Sequence, residues 1–245
     1  CKDLFVYLRS PRYSTMDIFK RTMVFLTFLL CCVAICLEVS ALVTKSWISA
    51  DAKRVYPNKS IDFNSDGHIK MGLFQGKKEL NVGYGKRTFD IDVIELLNTE
   101  RDLMIYALWI ATIACIAGGL LMTSFSGITA VINTAIIPIE TINGIVGLYL
   151  WNSLAMLCCI AAFTTWIVQF HLRLKHNVLP REDRTNLWST KYMANFGSSF
   201  WLVLGAILCH ISNIVIVKVS TTDRTRKTKS LPITEGKHNG SILLY

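Results

Sequence analysis

Four polar side chains interrupt otherwise apolar runs of this 245-residue chain: Glu38, Asn152, His210 and Asn213. Convergent ionisable groups at such places mark membrane enzymes and proton or ion paths. By helical rise Glu38 lies about 9 Å from one end of its run. It either snorkels outward or stays protonated and pairs; a proton or ion path is the sharper alternative. His210 and Asn213 are three residues apart and share a helical face. A single His and Asn there read as packing glue before they read as catalysts. Asn152 and Asn213 fall at similar depths, about 10 Å from the same boundary of their runs. A hydrogen bond between them across two helices is therefore expected, worth about 0.6–2 kcal/mol. The sequence holds no nucleophile–base pair, phosphate loop or paired carboxylates elsewhere. The expectation is a chain with no catalytic residues and no cofactor, and not an enzyme.

The thiols point the same way. Cys31, Cys32, Cys36, Cys115, Cys158, Cys159 and Cys209 all fall in apolar runs, and Cys1 is at the start. No cysteine lies where a disulfide could staple an outer link. The seven read as small, soft packing residues. No metal site is expected, because the Cys-Cys pairs sit in apolar runs without histidines at ligand spacing.

These residues must be positioned by membrane spans. The chain is 52% hydrophobic and 18% charged, with mean hydropathy +0.40, too apolar for an ordinary soluble domain of this size. A span needs about 20 apolar residues. Residues 23–44, 103–124, 145–170 and 200–219 qualify. The first run has a basic flank, Lys20-Arg21, but is longer than the roughly 7–15 residues of a signal-peptide core, so it reads as a retained span. The predicted fold class is an all-α membrane protein: a four-transmembrane-helix bundle with a small extracellular β-hairpin or sheet in the first outer loop. The divisions are 1–22 cytosolic tail, 45–102 outer loop, 125–144 cytosolic loop, 171–199 second outer loop and 220–245 cytosolic tail.

Charge supports that orientation unevenly. Eleven Lys/Arg lie in the two tails, which the positive-inside rule places in the cytosol. Yet the link 125–144 has no Lys or Arg, and the outer link 172–197 has five. The long first link has ten, nearly balanced by nine Asp/Glu. The net charge of +9 is largely juxtamembrane and suits anionic lipid headgroups. Interleaved aromatic stacking positions are absent, which excludes nucleic acid as a partner.

In the first outer link, Ile69, Met71 and Leu73 alternate on one face, and Leu80, Val82 and Tyr84 on another. The expectation is a twisted hairpin that turns at Gly76-Lys77-Lys78, with a bulge or close approach at Gly83 and Gly85; the alternative is an irregular solvated loop. Trp47 is expected at the membrane interface. Asn58-Lys59-Ser60 is a glycosylation sequon; Asn239-Gly240-Ser241 also matches, on the expected cytosolic side. Ala107, Ala111, Cys115 and Gly119 recur every four residues, with Ala114 and Gly118 alongside and Ala155 and Cys159 at the same spacing. Such a stripe serves either a partner span or the bundle's own packing. After the fourth run, 218–239 is polar and basic and reads as disordered. The chain ends Leu243-Leu244-Tyr245, a pattern that suits a PDZ groove.

Several of these motifs together resemble the clarin family, four-span proteins of the broader claudin-like group. "MGLFQG" is similar to its Gly-Leu-Phe-x-Gly signature (Gly72, Leu73, Phe74, Gly76), and "GYGKRTF" to its Gly-x-Gly-x-Arg-x-Phe element (Gly83, Gly85). "PIETINGIVGLYLWN" resembles the stretch entering the third span (Pro138, Thr141, Gly144, Gly147, Tyr149), "FGSSFWLVL" the start of the fourth, and "GSILLY" the ending. The match begins at Met16, a candidate initiator that would make Cys1–Thr15 an upstream extension. Val82 stands where many members have one of a loop cysteine pair. The resemblance implies a non-enzymatic multi-pass organiser of the plasma membrane, linked to cortical actin and to PDZ-type or cytoskeletal scaffold proteins. It also implies association with sensory epithelia and sound perception. Membrane-protein partners or a homo-oligomer are further expectations. The alternative is a claudin-like junction protein or an ion-channel accessory subunit.

Overall fold

The computed structural model describes residues 18–58, 60–81, 85–135 and 144–229. Gly83, Pro138, Thr141 and the terminal Leu243, Leu244 and Tyr245 lie outside the described residues, as do Met16, Val82, Tyr84 and Asn239.

The chain runs α1 (Ile18–Val43), β1 (Ile48–Val55), β2 (Ile61–Met71), β3 (Gln75–Asn81), β4 (Lys86–Asp92), α2 (Val93–Thr99), α3 (Tyr106–Ala135) and α4 (Ile145–Gln169). A π turn over Phe170–Leu174, α5 (Arg181–Thr185), β5 (Trp188–Ser189), β6 (Ala194–Phe196) and α6 (Ser198–Lys229) complete it. Among the described residues, four helices are long and apolar enough to cross a membrane, over Arg21–Val43, Tyr106–Ala135, Val146–Leu174 and Ser198–Thr221. Their hydroxyls are absorbed by their own backbones. Thr112, Thr129 and Ser212 each donate to the carbonyl four residues back at 2.7–2.8 Å, which satisfies a polar group where lipid offers no partner. α1 packs against α3 and α6, and α4 packs against the same two.

Three helices outrun the sequence boundaries, α1 by starting at Ile18 rather than at residue 23. α3 continues past residue 124 to Ala135, because the apolar, β-branched stretch ITAVINTA keeps its helical hydrogen bonds. Most of the link that had puzzlingly few basic residues is therefore helix. α6 continues to Lys229, so Lys218–Lys229, expected to be disordered, is the span's own extension.

The hairpin expectation needs correction: the sheet has six strands in two links. Its order is β4-β3-β2-β1-β5, and β6 also pairs with β1. The first turn is at Gly72–Phe74, closed by Gly72 N–H to Gln75 O at 2.9 Å, and Gly76 instead sits within β3 opposite Met71. The second expected strand is two strands, β3 ending at Asn81 and β4 starting at Lys86, just after Gly85 (φ +106°). Glycine is needed at residue 72 for another reason. A side chain there would meet the Thr44 carbonyl at 2.6 Å and Lys45 Cα at 2.9 Å, where the turn lies against the end of α1.

Ile69, Met71, Leu73 and Leu80 are all buried, with Ile48, Ala50 and Ala52 of β1 beside them. This sheet face is continuous with the end of the bundle through Trp109, Trp166, Phe170 and Leu174. Trp47, expected at the membrane interface, is fully buried where the sheet meets the bundle. Its indole N–H donates to Ala41 O at 2.6 Å, and its ring meets Trp166 edge-on at 4.9 Å. The indole thus satisfies an orphan carbonyl of α1's last turn while filling the junction.

Four of the five basic residues of the second link now have a reason that topology rules do not supply. Arg181 pairs with Asp102 at 2.8 Å and Arg184 with Glu100 at 3.4 Å, while Lys175 and Lys191 lie over the Tyr192 ring. Lys78 of β3 reaches Asp183 of α5 at 2.6 Å with both side chains nearly buried. The two links are tied together by charge, where a disulfide might otherwise serve.

Candidate functional site

All four polar residues singled out in the spans are fully buried, and they meet. Glu38 comes from α1, Asn152 from α4, and His210 and Asn213 from α6. The structure adds Cys31 from α1, Gly119 from α3 and Cys159 from α4, which the sequence offered only as packing residues, and Thr123 and Ser126 from α3, which it did not single out.

One end of this network centres on Glu38. It does not snorkel. Its Oε1 lies 3.2 Å from His210 Nε2 and 3.2 Å from Cys159 Sγ. Thr123 Oγ1 stands 3.2 and 3.3 Å from its two oxygens and 3.4 Å from His210 Nε2. The Thr123 hydroxyl is also 2.8 Å from Gly119 O, its closest acceptor. Gly119 leaves the room these groups occupy, since a Cβ there would meet Cys159 Sγ at 3.3 Å and Glu38 Oε1 at 3.6 Å.

The other end centres on Asn152. Its Nδ2 donates to Ser126 Oγ at 2.6 Å and to Leu148 O at 2.9 Å. With both N–H bonds so used, Oδ1 faces His210 Nδ1 at 3.2 Å and receives Asn213 Nδ2 at 3.1 Å. An amide oxygen only accepts. His210 Nδ1 must therefore carry the proton, and Nε2 is left to face Glu38. Cys31 closes this end, 3.4 Å from both Ser126 Oγ and Asn213 Nδ2.

Chemically this is a polar strand through the bundle that joins all four spans. It holds one carboxyl, one imidazole and one thiol in mutual reach, with no second carboxylate and no hydroxyl set up as a nucleophile. The one signal in the sequence was spacing. Cys31 and Glu38, Gly119 and Ser126, and Asn152 and Cys159 are each seven residues apart, hence on one helical stripe. Seven is also the spacing of apolar packing positions, so nothing in the string separates a polar stripe from a core one.

The small-residue stripe divides. Gly119 and Gly118 face Cys159 and Cys158 of α4, so this half serves packing inside the bundle, whereas Ala107 and Ala114 are exposed. Among the family-motif residues, Leu73 is buried and gives its carbonyl to Trp109 Nε1 at 2.9 Å, and Phe74 is partly exposed. Gly144 is the N-cap of α4, Gly147 N–H donates to Gly144 O at 3.1 Å, and Tyr149 packs against the cluster of Val24, Leu148 and Val217.

On the sheet, Asn58 occupies an exposed turn between β1 and β2, where its Oδ1 accepts from Ser60 N–H at 3.1 Å and Ser60 Oγ at 2.6 Å. Lys86 lies 2.8 Å from Asp66. The hydrogen bond from Lys86, and then its charge, hold the Asp66 carboxyl below its ordinary value. Lys77 does the same for Glu79.

Comparison with known proteins agrees with this architecture. A family model described as Clarin-2-like matches residues 19–217. Clarin-3 of Mus musculus is 29% identical over 199 residues, covering 79% of this chain and 82% of that protein. Clarin-3 of Homo sapiens is 29% identical over 209 residues, covering 81% and 86% respectively. With four span-length helices, a sheet after the first and a family match over most of its length, the chain belongs to the clarin family of multi-pass membrane proteins.

Proposed function

We propose that this chain is a non-enzymatic organiser of the plasma membrane. Both termini lie in the cytosol, the sheet faces outward, and the C-terminal tail engages PDZ-type or cytoskeletal scaffold proteins near cortical actin. The observation that carries the reading is β4. Among the described residues it ends the strand order and pairs only with β3, and it exposes Lys86, Arg87, Thr88, Phe89, Asp90 and Asp92. Charges along an edge discourage self-pairing, so the strand suits recognition through side chains, with Phe89 as the apolar contact. The exposed Asn58 turn fits a glycan on that same outward side, and basic residues in both tails fit the cytosol.

The test is proximity labelling by the full chain in polarised cells, beside variants Phe89→Ser and one lacking Leu243, Leu244 and Tyr245. Cortical scaffolds lost with the tail truncation, and surface partners lost with Phe89→Ser, support the proposal. Labelling dominated by junction strands or channel subunits, unchanged in both variants, overturns it in favour of the claudin-like alternative. Orientation has its own readout: Asn58→Gln should abolish a glycosidase-sensitive mobility shift. A shift that survives it but disappears in Asn239→Gln would place the tail outside.

A further inference from the structure

We propose that Glu38, Cys159 and His210 form a metal site that takes a divalent transition-metal ion of the zinc class and clamps α1, α4 and α6 together. One ligand-capable atom of each residue lies within 4.8 Å of the other two, and all three residues are fully buried. Glu38 Oε1 is 3.2 Å from both His210 Nε2 and Cys159 Sγ. Tetrahedral zinc with its usual bond lengths spaces oxygen, nitrogen and sulfur ligands about 3.3–3.6 Å apart. The trio therefore needs displacements of only tenths of an ångström along those two edges.

Three further features separate this cluster from an ordinary buried pair. The first is the histidine's far nitrogen. Asn152 Oδ1 receives Nδ1–H, and the Asn152 amide is itself held by Ser126 and Leu148. A fixed acceptor on one ring nitrogen, with the other presented bare, is how proteins orient a metal-ligating imidazole. The second is charge. A carboxylate and a thiolate neutralise a dication, so the loaded site carries no net charge into a medium that penalises charge heavily. The third is a fourth donor. Thr123 Oγ1 stands 3.2–3.4 Å from Glu38 and His210. The ligand types, one each of N, O and S, suit zinc better than the all-oxygen shells of calcium or magnesium. Coordination requires the thiol proton, and any proton shared by Glu38 and His210, to leave as the ion enters. The pocket lies in the bundle interior, so loading belongs to folding and insertion.

The experiment uses the full chain, produced in medium supplemented with Zn2+ or with Co2+ and purified in detergent with a non-chelating affinity tag. Elemental analysis and visible absorption are then recorded. The proposal expects stoichiometric zinc, and in the cobalt protein a thiolate-to-metal charge-transfer band with tetrahedral ligand-field absorption. Cys159→Ser should remove the charge-transfer band. Asn152→Leu, which removes the acceptor on His210 Nδ1, should weaken affinity about 10–100-fold. Cys36→Ser, on an exposed helix face, should change nothing. A monodisperse, folded wild-type protein with neither stoichiometric metal nor the band would overturn the proposal and leave a hydrogen-bonded network. Metal that persists with an unchanged spectrum in Cys159→Ser would overturn it equally. Should a variant fail to fold, the wild-type cobalt spectrum still decides.

Discussion

The two halves of this molecule solve the same problem with opposite materials. The sheet end has an apolar core of Trp47, Trp109, Trp166, Ile48, Ile69 and Leu73, with charged pairs around it, some of them between the two links. The span bundle exposes its large apolar side chains, Phe25, Leu29, Leu121, Leu157 and Leu208 among them, and buries Glu38, His210, Asn152 and Asn213. The solvent explains the inversion. Against water, burying apolar area is the main driving force. Against lipid tails that force is lost, and close backbone approach and interhelical hydrogen bonds must specify the packing. The missing loop disulfide is then no deficit, since the sheet has a core large enough to do without one.

The largest effect that tests this contrast is expected at Trp47. Trp47→Ala removes a fully buried ring, its edge contact with Trp166 and its bond to Ala41 O, and should cost about 3–5 kcal/mol. Thermal unfolding followed by tryptophan fluorescence reads it. A loss below about 1 kcal/mol would mean that the sheet is not a hydrophobic core in its own right. Next comes Lys78→Met, which leaves the nearly buried Asp183 unpaired and should cost about 1.5–3 kcal/mol. Limited proteolysis should then cut the link around α5 first, while the helices stay protected. In the bundle, Asn213→Leu removes the 3.1 Å bond to Asn152 but leaves His210 on the same oxygen. The expected loss is about 0.6–1.7 kcal/mol. Unfolding unchanged by Asn213→Leu would sink the claim that polar bonds specify this packing.

The smallest effect is a pH dependence at the sheet surface. Asp66 has its carboxyl lowered by Lys86, so its contribution is complete above the unfolded value of about 3.9. It is lost as pH falls through the lower folded value. Both groups are well exposed, so the change should be slight and fade with salt. Asp66→Asn should remove it from an acid titration of sheet unfolding, and an acid response that the variant keeps would assign it elsewhere.

The sequence showed the spans because twenty-odd apolar residues have few other uses, and it showed alternation at Ile69, Met71 and Leu73 because a strand with one buried face must alternate. It misplaced the first turn. Gly76 followed by two lysines carries a stronger local turn signal than Leu73-Phe74, yet the close approach of Gly72 to Thr44 decided the matter. It missed β5 and β6 because their pairing with β1, some 140 residues away in the chain, leaves no local trace, and it missed β1 because Ala50 and Ala52 give its buried face little hydrophobic contrast. At the candidate site the four polar members were legible one at a time, as groups out of place in apolar runs. Cys159 and Thr123 were not, because a small thiol or hydroxyl in a span is ordinary.

Composition and periodicity alone determined that this chain carries four stretches long and apolar enough to cross a membrane, and that the link after the first holds no cysteine for a disulfide. Hydropathy is a property of residues in a row, and it survives without coordinates. Which groups meet was decided only by the tertiary structure. Glu38, Thr123, Cys159 and His210 come from four different helices, and their convergence depends on the relative rotation and height of the spans. Those are set by packing distributed over the whole interface and written in no single segment.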